Sequence, residues 1–225
     1  MKSLYGQAAA LICSMMLLIP AAAISQTESW EPNLKSLSEG KEWTVQYRKV
    51  RPVDDGAKSF VHFDEAPGVG FAWVEQDGFS EGVIEIDLRG RNIPQRSFIG
   101  VAFHEINDTT YEAIYFRPFN FMAADSLART HAVQYICPSA FDWRTLRTTH
   151  PGMFEQPLAS PPDPDGWFHA RIVVTGTTVS VYVNDAVQPS LEVKRLRDSN
   201  SGKIGLWVGD NSGGDFTNFR FTRAK

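Results

Sequence analysis

Seven residues of this 225-residue sequence have types and spacings that can do chemistry: Glu85, Asp87, His104, Tyr115, Arg117, Trp143 and Arg144. The carboxylates of Glu85 and Asp87 can accept hydrogen bonds from hydroxyl groups, and a carboxylate pair can serve as acid and base in glycoside hydrolysis. His104 with Tyr115 and Arg117 fits a different scheme, in which an acid/base pair moves a proton while the guanidinium neutralises a carboxylate. Glu85 and His104 are thus the two catalytic candidates. Arg117 offers a planar fork of donors to hydroxyls or to a uronate. Tyr115 and a Trp offer flat faces for a sugar ring, and Trp143 with Arg144 can form a lid or rim. Each residue also has a plainer reading. Glu85 and Asp87 can be a solvated strand face, Arg117 can pair with Glu85 or Glu112, and a local hydrogen bond can satisfy His104. Trp167 and Trp207 read as packing residues.

These side chains need strands to hold them. Apolar residues recur with period two, and no long segment has helical spacing. Val83–Leu88 places Ile84, Ile86 and Leu88 on one face and Glu85 and Asp87 on the other. In Phe98–Ile106, Val101 and Phe103 face the core, leaving Gly100, Ala102 and His104 opposite. In Tyr111–Phe121, a strand that Pro118 bends or ends, Ile114 and Phe116 face the core, leaving Tyr111, Ala113, Tyr115 and Arg117 opposite. If these strands are neighbours, Glu85, His104, Tyr115 and Arg117 converge on one surface, with room above the small residues. Asp142–Leu158 is a long excursion with about one helical turn, of a length often associated with function. Short strands resume at Trp167–Thr175 and run to Phe216–Thr222, separated by Gly, Pro, Asn and Asp turns. Such a series predicts an all-β, two-sheet antiparallel sandwich.

Composition narrows the function classes. The formal net charge of −4 gives no electrostatic case for nucleic acid or an anionic membrane. Lys2, the apolar run Ala8–Ile19 and the small residues Ala21–Ala23 read as a secretory signal peptide over residues 1–25. The expected destination is secreted or periplasmic, without stable membrane insertion once the signal is cleaved. A polar N-terminal arm (26–42) then precedes one domain (43–225). Without Cys13, which lies in that signal, only Cys137 remains, so the domain has neither an internal disulfide nor a Cys/His metal cluster. Cys137 reads as a buried small apolar residue. No G-x-S-x-G nucleophile elbow is present, and Gly68-Val69-Gly70 is too short for a phosphate loop and lacks a following Lys. No cofactor is expected. Asp210–Asp215 is oxygen-rich enough for a structural Ca²⁺, but it also fits a plain Asx/Gly turn.

The tail gives a more specific signal. Trp167–Val174, Val179–Asn184, Gly202–Trp207 and Gly214–Phe219, in that order, resemble the concanavalin A-like jelly-roll superfamily, especially secreted laminin-G-like and family-16-glucanase-like domains. The 3-keto-disaccharide hydrolase group has a similar ending. The resemblance implies a jelly roll whose concave sheet face takes a sugar. It does not carry over the glucanase mechanism. That family's strand has two Glu flanking an Asp at alternating positions, and here Glu85-Ile86-Asp87 is followed by Arg89 at the fifth position. Three functions follow: an exported carbohydrate-binding protein, a glycoside hydrolase or polysaccharide lyase of the same fold, or a laminin-G-like protein-interaction module.

Overall fold

A computed structural model of the chain describes residues 28–76, 78–198 and 201–223. The expected signal peptide, with Cys13, lies outside the described residues. The first strands are β1 (Glu28–Trp30), β2 (Trp43–Gln46), β3 (Val50–Asp54), β4 (Ser59–Phe63) and β5 (Gly70–Val74). The middle strands are β6 (Gly82–Arg89), β7 (Ile99–Asn107), β8 (Thr110–Phe116), β9 (Val133–Ile136) and β10 (Glu155–Gln156). The last are β11 (Trp167–Thr175), β12 (Thr178–Val183), β13 (Leu191–Lys194), β14 (Lys203–Val208) and β15 (Gly214–Arg223). Three short helices, α1 (Pro118–Phe121), α2 (Ser126–Arg129) and α3 (Trp143–Thr149), lie between β8 and β10.

Two antiparallel sheets result. The first runs β13-β12-β11-β6-β15-β4-β3, with β1 added on β15, and the second runs β10-β9-β8-β7-β14-β5-β2. Alternation explains both. In β6, Ile84, Ile86 and Leu88 are wholly buried while Glu85 and Asp87 stand on the outer face. In β11, Phe168, Ala170, Ile172 and Val174 repeat the pattern. Across the sandwich Phe116 meets Phe168 at 5.1 Å between ring centroids, and Trp43 meets Phe219 at 5.8 Å. Each such side chain contributes roughly 1.5–3 kcal/mol on burial, and Cys137 is buried and free, so this core holds the domain together without a cross-link among the described residues.

Local details follow from residue type. Pro52 sits in β3, the edge strand of the first sheet, where a missing N–H is tolerated. Pro118 ends the expected long strand by starting α1. The N-terminal arm is held in place: β1 pairs with β15, and Trp30 stacks on Phe221 at 5.7 Å. The excursion contains α3, longer than the single turn expected, because Asp142 caps it by accepting from the Thr145 amide at 2.7 Å.

Two bulges reset the alternation. Against β14, β7 carries one extra residue between Ala102 and Glu105, with His104 at φ 53°, and against β6, β15 carries one between Thr217 and Arg220, with Asn218 at φ 53°. An extra residue at such a point moves every following side chain to the other face.

Candidate functional site

The outer face of the second sheet combines large aromatic residues with very small ones. One row across the strands reads Phe71, Trp207, Gly100, Tyr115, Gln134, and the next reads Trp73, Gly205, Ala102, Ala113, Ile136. Gly100 and Gly205 admit no side chain, since a Cβ on either would come within 2.1 Å of a carbonyl oxygen of the adjacent strand. The aromatic rings lean over these low positions. Tyr115 lies 4.9 Å from Trp207, and Tyr111 accepts a hydrogen bond from the Trp207 indole at 3.4 Å.

Above this floor is a cleft of about 650 Å³, walled by α2, by the start of α3 and by the segments around Phe98 and Asp210. That volume suits a small-molecule site. At its base, Arg117 donates to the Tyr115 hydroxyl at 2.6 Å, to the His131 carbonyl at 2.8 Å and to the Gln134 side-chain oxygen. Tyr115 donates to that same Gln134 oxygen at 2.9 Å. The Arg117 guanidinium lies 4.8 Å from the centre of the Tyr115 ring. Burial pushes the Tyr115 phenol up to about 12 against the pull of Arg117, so it stays a neutral donor and acceptor. Burial also lowers the Arg117 value.

Beside this group, Glu155 collects three basic side chains. Arg147 grips it with two bonds of 2.8 and 2.6 Å, His131 Nδ1 lies at 2.9 Å and Arg117 at 3.7 Å. Glu155 is fixed because β10 pairs it with Gln134 of β9. Burial, aided by the Arg147 and Arg117 charges, holds His131 below the ordinary histidine value despite the opposing pull of Glu155. Trp143 stands on the wall, 41% exposed, with the guanidinium groups of Arg144 and Arg147 at 5.3 and 5.1 Å from its ring.

Of the sequence candidates, Tyr115, Arg117 and Trp143 line the cleft, and Arg144 does not line it but lies 5.3 Å from the Trp143 ring. Glu85 and His104 do not join them, so the expected common surface of Glu85, His104, Tyr115 and Arg117 does not form. Glu85 belongs to β6 in the first sheet, where Arg220 bonds to it at 2.7 Å. His104 is turned inward by the β7 bulge and is wholly buried, bonded to Glu112 at 2.9 Å and to the Ser80 carbonyl at 2.7 Å. Arg117 pairs with neither Glu85 nor Glu112 but lies against Glu155. Trp207, read as packing, also floors the cleft. His131, Gln134, Arg147 and Glu155 complete the cluster. Arg147 and Glu155 fall within the long excursion Asp142–Leu158, and His131 lies two residues before β9.

The other candidates have separate engagements. Asp210 accepts from the Gly68 amide at 2.7 Å, whereas Asp215 binds His62 at 2.6 Å and Arg89 at 2.9 Å. Trp167 packs edge-on against Phe60 at 5.4 Å.

Asp87 is the most strongly tied carboxylate of the first sheet's outer face. Burial opposes its ionisation, but His169, Lys58 and Asn218 hydrogen bonds bring it down to about 2. Its pKa is depressed in the folded state, so its stabilising effect is present above the unfolded value of roughly 3.9 and is lost as pH falls through about 2. Asp87→Asn should therefore cost about 1–2 kcal/mol near neutral pH, with the difference from wild type closing in strong acid. Urea unfolding across that range checks this; a pH-independent difference would count against it.

No protein-family model matches the sequence, and no curated protein matches it. Solved structures do match, and they share the two-sheet jelly-roll fold. The carbohydrate binding module CBM66 from Bacillus subtilis superposes with a TM-score of 0.57 at 14% identity, covering 80% of this chain and 94% of that one. A Bacillus subtilis protein of unknown function with a galectin-like fold gives 0.53 at 14% identity, covering 85% and 94%. The exoplasmic/lumenal domain of VIP36, in a Ca²⁺/Man3GlcNAc-bound form, gives 0.53 at 10% identity, covering 82% and 86%.

Proposed function

We propose that this protein is an exported carbohydrate-binding jelly roll that holds an oligo- or polysaccharide in the cleft on the outer face of its second sheet. The observation that carries this reading is the pairing of a ring platform with a polar cluster in one cleft. Trp143 is half-exposed on the wall and Tyr115 and Trp207 form the floor, while Arg117, His131 and Arg147 stand among them. A sugar ring needs both an apolar face and convergent donors and acceptors. Two of the similar structures, a carbohydrate binding module and an exoplasmic/lumenal domain in a Ca²⁺/Man3GlcNAc-bound form, support the same direction. The leader-like residues 1–25 support export, and no helix among the described residues is long and apolar enough to cross a membrane. The reading invokes no cofactor or metal.

A binding role suits the placement of the two catalytic candidates better than turnover does. Glu85 lies on the opposite sheet, and His104 is sealed in the interior. A glycan array probed with the chain from Gln26, with mass spectrometry on every bound polysaccharide, tests the proposal. Binding without product is the expected result. Glu85→Gln should bind as wild type does. Released product would favour a hydrolase or lyase, and a blank array would favour a protein-interaction module.

A further inference from the structure

We infer that the cleft selects neutral, hydroxyl-rich sugar units over acidic ones, with His131 Nε2 accepting a hydroxyl hydrogen from the ligand. This rests on the glycan-binding reading and adds the substrate class. The argument begins with what is already committed. Glu155 is gripped by Arg147 through two bonds and is therefore an ionised acceptor. The His131 nitrogen facing it at 2.9 Å, Nδ1, must carry the proton. A neutral imidazole then has an unprotonated Nε2, and that atom has no hydrogen-bond partner among the described residues, although His131 lines the cleft.

The two arginines, which by type suggest an anion receptor, are largely engaged. One terminal nitrogen of Arg117 serves Tyr115 and Gln134 and the other serves the His131 carbonyl and faces Glu155. Arg147 bonds to Glu155 through two of its nitrogens. Asp125, Asp142 and Asp210 also line the cleft, so its lining holds three carboxylates beside two guanidinium groups that the buried Glu155 already faces. Asp125 and Asp142 are held in place as helix caps, by Leu127 and Thr145 amides, and Asp210 by the Gly68 amide. A uronate or sulfate entering this field meets like charge and a lone pair, whereas a hydroxyl can donate to either. Burial and the nearby guanidinium groups favour the neutral ring, and acidification that protonates it turns Nε2 from acceptor to donor.

Affinity electrophoresis through gels containing neutral probes (β-glucan, xylan, mannan, levan) and acidic ones (polygalacturonate, alginate, hyaluronan, dextran sulfate) tests this. At least one neutral probe should bind about tenfold tighter than any acidic one. Its affinity should fall by a similar factor between about pH 7.5 and about pH 4.5. His131→Gln, which keeps a side-chain oxygen acceptor, should retain binding but lose much of that pH dependence; His131→Ala should lose about tenfold near neutral pH. Preference for an acidic probe, or an unchanged pH profile in both variants, overturns the inference while leaving glycan binding standing. Failure of every probe overturns both.

Discussion

Replacing Glu112 with alanine is expected to lower the unfolding free energy by about 3–5 kcal/mol, the cost of removing the carboxylate from a buried ion pair. Glu112 is wholly buried, although it lies on the face of β8 that carries Ile114 and Phe116. Arg195 donates to it at 2.7 Å, Tyr135 at 2.6 Å, and His104 lies at 2.9 Å. Burial opposes its ionisation, yet the bonds from His104, Arg195 and Tyr135 hold its carboxyl below the ordinary glutamate value. Alanine leaves the Arg195 guanidinium, 3% exposed, facing a void. Glu112→Gln keeps an acceptor and should cost less. Glu85→Ala provides the comparison: its partner Arg220 is half-exposed, so the loss should be about 0–1 kcal/mol. Denaturant unfolding of the three variants measures the order. A Glu112→Ala cost no larger than that of Glu85→Ala would mean that water or a rearranged Arg195 satisfies the site.

This network also shows where the sequence could be read and where it could not. The β6 strand and the β11–β12 hairpin were legible because each keeps strict alternation between turns, and period two suffices to assign faces. His104 was misplaced because the bulge in β7 opposite β14 inserts a residue that composition does not signal; beyond it, odd positions exchange faces with even ones. Glu112 belongs to a face whose other members are apolar, so only the arrival of Arg195 from 83 residues away explains its charge there. The cleft was half legible for a related reason. Tyr115 and Arg117 could be placed because they follow β8's alternation into the first residue past it. His131, Arg147 and Glu155 come from a turn, a short helix and a two-residue strand, each too brief to show a period, and only their common contact makes them a site.

Trp143→Ala is expected to weaken glycan binding roughly thirtyfold, about 2 kcal/mol, the effect of removing a central aromatic contact. The fold should not suffer. Trp143 is the first residue of α3 and is 41% exposed, while the cap from Asp142 and the buried anchor Leu146 belong to other positions of the same helix. The guanidinium groups of Arg144 and Arg147 lie 5.3 and 5.1 Å from the centre of its ring. Trp143→Phe retains a smaller ring and should recover part of the affinity. Arg144→Ala should change little, because Arg147 still flanks the ring and is itself anchored by Glu155. Tyr115 provides the contrasting case: its hydroxyl joins Arg117 to Gln134, so Tyr115→Phe disturbs the base of the cleft and should affect binding and stability together. If calorimetry gives Trp143→Ala wild-type affinity, the sugar sits on the Tyr115–Trp207 floor and α3 is only its wall. If affinity falls while the unfolding midpoint stays, the ring on the wall is the contact that a glycan meets.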